Sequence, residues 1–133
     1  MNLAQSGGWI ERCPGHQLLV TIPESYSDEE FVREFDELSH LLSAAEQALG
    51  VLIVIKMKTR SRPDNRERAK RFFMEEKEML RKQVRACALV SDHFAIRGAI
   101  SAVRLLGLFP FETKTFDNVV SAQAWLTQQM RRG

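Results

Sequence analysis

A chain of 133 residues and 15.3 kDa is long enough to bury one sizeable core and too short for two, so a single domain is expected. A hydrophobic fraction of 44% with 27% charged residues excludes a disordered chain, and a net charge of +2 favours no particular partner. The charge is unevenly spread: Glu24 to Glu46 holds eight acids against Arg33 alone, whereas Lys56 to Arg71 holds eight bases against Asp64 and Glu67. Two opposed electrostatic faces follow, which predicts a homodimer that weakens with salt.

Cys13 and Cys87 make neither a metal set nor a disulfide framework, and Cys87 reads as a small buried hydrophobe. A reducing compartment fits, and with no signal-like start and no membrane-length apolar run the expected location is cytoplasmic. Residues 1–8 read as a loose tail, and residues 9–133 as the domain.

Trp9-Ile10-Glu11-Arg12 and Gln17 to Ile22 flank Cys13-Pro14-Gly15-His16, a type II turn sequence, and so predict a β-hairpin closed by Pro23. Ser27-Asp28-Glu29-Glu30 is a capping box, with Tyr26 and Phe31 as its hydrophobic staple. The helix it opens carries the stripe Phe31, Phe35, Leu38, Leu42, Ala45 and Leu49, with its acids facing water and Gly50 as its C-terminal cap. Val51-Leu52-Ile53-Val54-Ile55 is an unbroken β-branched run, the mark of a strand buried on both faces at the centre of a sheet.

That strand opens into Lys56-Met57-Lys58-Thr59-Arg60-Ser61-Arg62-Pro63 and then a second helix, capped by Ser61 or Asp64. Its apolar face, Ala69, Phe72, Phe73, Met79 and Leu80, is interrupted by Glu75-Glu76-Lys77-Glu78. Ala86 to Val90 is a further buried strand. Ser91-Asp92 then caps a helix bearing Ile96, Ala99, Ile100, Val103 and Leu106 that stops at Gly107. Phe111 to Phe116 is a more polar strand, and Asp117 or Asn118 caps a last helix with Val119 or Val120, Ala122, Trp125, Leu126 and Met130. The order ββαβαβαβα predicts an α/β fold: a mixed, mostly parallel sheet of about five strands with helices on both faces.

A receiver domain of the response-regulator kind needs an Asp at the end of the central strand, and this one ends Lys56-Met57-Lys58. Dinucleotide, Walker and Gly-x-Ser-x-Gly motifs are missing. His16, His40 and His93 show no metal spacing, so neither metal nor cofactor is expected, and no catalytic residue is assigned. In open α/β sheets the carboxyl ends of the strands are the usual binding edge. Thr59, Arg60, Ser61, Arg62 and Arg66, at a helix start on that edge, suit an anion or an acidic partner, and Ser91 and His93 share the edge. A solvated charged loop is the competing reading of the same residues. Nucleic acid is disfavoured, because Glu75 to Glu78 follow closely and Phe72 and Phe73 sit at core spacing.

Cys87-Ala88-Leu89-Val90-Ser91-Asp92, then Phe94-Ala95-Ile96-Arg97-Gly98-Ala99-Ile100, then Thr115-Phe116-Asp117 with Ala122, Ala124, Trp125 and Leu126, resembles the bacterial SpoIIAA-like domains, relatives of STAS and SEC14-type modules. The resemblance implies a non-enzymatic regulatory or partner-binding module. In STAS antagonists of anti-sigma factors a phosphorylatable Ser lies in an Asp-Ser-Ser/Thr-Gly-like motif where the central strand meets the next helix. Here that place is Met57 to Asp64, where Thr59 and Ser61 are the only hydroxyls. The acid, the paired hydroxyls and the Gly are absent, which argues against a phospho-switch. The SEC14 side of the resemblance implies an alternative, a peripheral lipid- or apolar-ligand-binding protein. Phe72, Phe73, Met74, Met79 and Leu80 would then line a pocket under a mobile helix.

Overall fold

A computed structural model describes residues 8–57, 63–107 and 109–132. The elements are β1 (Ile10–Cys13), β2 (Gln17–Ile22), α1 (Asp28–Ala44), β3 (Leu49–Ile55), α2 (Pro63–Glu75), α3 (Lys77–Gln83), β4 (Val84–Val90), α4 (Phe94–Leu105), β5 (Glu112–Phe116) and α5 (Val119–Arg132). They build a single α/β domain around one five-stranded sheet of order β1-β2-β3-β4-β5, antiparallel only between β1 and β2.

β1 and β2 form the expected hairpin, with Gly15 and His16 both at positive φ (81° and 59°) in the connection. Gly takes that conformation without a Cβ penalty, which is why the turn centres on it. The β-branched run is the middle strand of the sheet, as its unbroken apolarity requires. β2 to β5 run parallel, so their carboxyl ends share one edge.

The capping box at α1 is complete: Glu30 N–H donates to Ser27 Oγ and Ser27 N–H to Glu30 Oε1, both at 3.1 Å. Tyr26 stacks on Phe31 with ring centroids 5.9 Å apart. Gly50, expected as the cap of this helix, is instead inside β3; α1 ends at Ala44, and Ala45 caps it. The Gly50 backbone faces α5 so closely that a Cβ there would stand 2.9 Å from Met130 Sδ and 3.1 Å from Leu126 Cδ1. Glycine serves at this position to let helix meet strand.

The second helix is two. Its chain breaks at Glu76 (φ −102°, ψ 20°) within the acidic interruption, giving α2 and a short α3. Pro63 opens α2, where its missing N–H and fixed φ suit the first helical turn.

A larger core cluster unites one sheet face with α1, α3 and α4, and half-buried Phe72 and Phe73 of α2 pack against it. On the other face, a smaller cluster joins Leu52, Ala86, Ala88 and Val90 to Ala122 and Leu126 of α5. Helices thus cover both faces. The exposed Val119 and Val120 are the part of the predicted α5 stripe that stays outside.

Candidate functional site

On the larger cluster's side of the sheet, eight aromatic rings run in an unbroken chain. Trp9, Tyr26, Phe31 and Phe35 connect through Phe72 and Phe73 to Phe109 and Phe111, each ring lying 4.4–5.9 Å from its nearest neighbour in the chain. Most contacts are edge-to-face, the arrangement that ring quadrupoles prefer. Phe72 and Phe73 are therefore packing residues that hold α2 down, as their spacing implies.

Beneath this chain lies a cavity of about 80 Å³, bounded by Phe35, Phe72, Phe73, Phe109 and Phe111 above and by Val51, Ile53 and Leu89 on the strands. The surface it presents is apolar, although Glu34 borders it with its carboxylate engaged elsewhere. Met74 is exposed on the far side of α2, outside the expected lining, while Leu80 does border the cavity.

Two polar residues on the apolar stripes hold the roof in place. Glu34, three residues after Phe31 and four before Leu38, is buried rather than facing water. Its Oε1 accepts from the Trp9 N–H at 2.9 Å, and its Oε2 from Arg33 Nε at 3.3 Å. The contact ties the entry of β1 to α1. Asn65, four residues before Ala69 and seven before Phe72, is 1% exposed. Its Nδ2 donates to Asp28 Oδ1 at 3.3 Å, and its Oδ1 accepts from Arg68 at 2.7 Å, so the first turns of α1 and α2 are pinned together. Reading the stripes by apolar type alone misses both residues; stripe membership itself was the available signal.

The sheet's carboxyl edge differs from expectation. Thr59, Arg60, Ser61 and Arg62 lie outside the described residues. Arg66 is exposed on the first turns of α2, the helix that follows β3. Ser91 and His93 follow β4 on the same edge, but they serve the chain itself. Ser91 is 2% exposed; its N–H donates to Phe116 O, its Oγ accepts from the His93 N–H at 3.1 Å, and its carbonyl accepts from Arg97 at 2.8 Å. Neither Ser91 nor Asp92 caps α4. The N-cap is His93, which makes no capping side-chain bond, and the Ser91 hydroxyl accepts from the His93 N–H rather than from a donor of the helix. The His93 ring stacks on Phe94, and its Nδ1 is buried without a hydrogen-bond partner among the described residues.

Tyr26 Oη donates to Met57 Sδ at 3.6 Å where β3 leaves the sheet. Burial, and secondarily the charge of Asp28, pushes the Tyr26 phenol above its usual range. Cys13 and Cys87 are free thiols; burial pushes Cys87 up to about 12. Among the described residues no group of three or more His, Cys, Asp and Glu could hold a metal, and no helix is long and apolar enough to cross a membrane.

A family model of SpoIIAA-like domains matches residues 18–127, from the second strand of the hairpin into α5. The chain belongs to the SpoIIAA-like family. No curated protein and no solved structure matches the chain. The SpoIIAA-like match takes in the cavity walls on β2, β3 and β4, the roof formed by α1 and α2, and both pinning residues. Membership in this STAS-related family supports a regulatory or binding module in general, and such domains are generally non-enzymatic and commonly mediate protein interactions.

Proposed function

We propose that the chain is a non-enzymatic binding module that holds an apolar ligand between its sheet and α2, the SEC14-like alternative that the sequence raises. The single observation that carries this reading is the apolar cavity of about 80 Å³ beneath the α2 aromatics. Protein interiors keep few voids larger than a water molecule, and an empty void of this size costs on the order of 2 kcal/mol. Water does not relieve that cost, because a buried water needs polar partners that the wall does not offer. A small hydrocarbon group does relieve it.

Within the roof, α2 is weakly anchored. α2 buries fully only Asn65, whereas β4 is buried along nearly its whole length. Outward movement of α2 would enlarge the space for an acyl chain.

Native mass spectrometry of freshly purified protein, together with xenon titration followed at the methyl resonances of Ile53 and Leu89, tests the reading. A retained apolar ligand or saturable xenon shifts at those methyls are expected. A clean apo mass with no xenon response would overturn it.

The second reading is the sequence expectation of an anionic ligand or a protein partner bound through Thr59, Arg60, Ser61, Arg62 and Arg66, with Ser91 and His93, the first four of these lying outside the described residues. The exposed Arg66 on the first turns of α2 favours it. Thermal shifts with inorganic phosphate that vanish in Arg66→Ala would support it; identical responses of the two proteins would remove it.

A further inference from the structure

The helix α4 is apolar over more of its circumference than the sheet covers. Only Ile96 is fully buried, and Ile100 and Val103 are half-buried beside it. Of the stripe predicted to enter the core, Ala99 and Leu106 are exposed instead. At 100° per residue, the three large exposed residues Phe94, Leu105 and Leu106 and the small residues Ala95, Gly98, Ala99 and Ala102 all fall within one arc of about 140°. Phe94 is 77%, Leu105 85% and Leu106 75% exposed. A solvated helix face is ordinarily polar. This one carries no charge, because Arg97 and Arg104 lie outside the arc and Arg97 is turned to the Ser91 carbonyl.

We infer that this face is the interface of a homodimer in which α4 packs antiparallel against α4 of a second copy. The order of residue sizes along the helix selects this occupant. Large residues stand at both ends and small ones between, so a two-fold axis near Ala99 brings Phe94 of each copy onto Leu105 and Leu106 of the other. The small residues in the middle let the helix axes approach. A two-fold contact demands such self-complementarity.

The arc offers on the order of 500 Å² per copy, or about 1,000 Å² for the pair, where specific interfaces begin. No charged group is buried by the contact, so the association is insensitive to salt, unlike pairing of the acidic α1 with the basic residues that precede α2. An interfacial helix lying on a membrane would carry bulky residues along its whole apolar face, where this one has Ala and Gly.

Gly98 provides the test. A Cβ built there meets nothing within 4 Å, so a long side chain fits the single copy, yet it would stand in the middle of the helix pair. Sedimentation equilibrium of the full chain is expected to show a dimer at about 100 µM that dissociates on dilution and persists in high salt. Gly98→Lys is expected to be monomeric at that concentration with an unchanged far-UV spectrum, and Leu105→Glu, at the end of the contact, is expected to weaken the dimer at least tenfold. A wild-type monomer at about 100 µM overturns the inference. So does a dimer that survives Gly98→Lys or dissociates in salt, and so does a monomer that floats with phosphatidylcholine–phosphatidylglycerol vesicles.

Discussion

Gln83 shows how a single side chain closes a helix that the sequence leaves open. α1 has no basic residue in its last turn and ends in an extended Ala45, so its final carbonyls need donors from elsewhere. Gln83, at the end of α3, supplies them: its Nε2 donates to Leu42 O at 2.7 Å and to Ala45 O at 2.8 Å. Gln83→Leu keeps the size and removes the donors, and it is expected to cost about 1–3 kcal/mol in urea unfolding. An unchanged midpoint would show that solvent replaces the contact. Gly50 makes a second prediction by shape alone. Gly50→Val places branched atoms where a Cβ already falls 2.9 Å from Met130 and 3.1 Å from the fully buried Leu126. A loss of about 2 kcal/mol by the same measurement is expected, although valine is otherwise the better strand residue.

The elements differ in how firmly they are held, and the difference follows from what each buries. β4 presents five consecutive buried residues from Ala86 to Val90, whereas α2 reaches the core through half-buried Ala69, Phe72 and Phe73 and the Asn65 bridge. Native-state hydrogen exchange is therefore expected to show the Phe72 and Phe73 amides opening well before those of Cys87 and Leu89. Uniform protection across α2 and β4 would contradict it. Asn65→Ala removes the link between Asp28 and Arg68 and is expected to speed α2 exchange further while leaving β4 unchanged. The same contrast explains what could be read in advance. Elements whose identity rests on period and caps were legible: the Ser27 capping box and the β-branched β3 appear as expected, and so does the order, apart from the division of the second helix into α2 and α3. Gly50 was misplaced because a glycine after an apolar stripe reads as a helix stop, and only the approach of α5 shows why it belongs in a strand. Ser91 lost the α4 cap because its hydroxyl accepts from the His93 N–H instead of from a helical donor. Of the pocket lining that the SEC14 side of the resemblance implied, Phe72, Phe73 and Leu80 border the cavity and Met74 and Met79 do not; Phe35, Phe109 and Phe111 were not legible, since a void is a property of how side chains from separate stretches of chain meet.

At the scale of the whole molecule, the buried thiol of Cys87 ties stability to alkaline pH. Cys87 is 3% exposed in β4, and burial lifts its thiol from 9.0 to about 12. Below pH 9 the thiol keeps its proton whether the chain is folded or unfolded, and the group adds no pH dependence. Between about 9 and 12 the unfolded chain has released the proton and the folded chain has not. The unfolded state then binds fewer protons, and stability falls as pH rises, by about 1.4 kcal/mol per pH unit. Tyr26, also raised by burial, acts in the same direction above its ordinary value of 10.0. A loss of about 2 kcal/mol between pH 8 and 10.5 is a large part of the 5–15 kcal/mol that a domain possesses. Urea midpoints measured at those two pH values should therefore diverge strongly in the wild type. In Cys87→Ala, which is less stable at neutral pH through lost packing, the divergence should shrink to what Tyr26 and the exposed groups contribute. Equal pH slopes for the two proteins would mean that the thiol ionises within the fold, with the strand opening locally around it rather than the whole sheet unfolding.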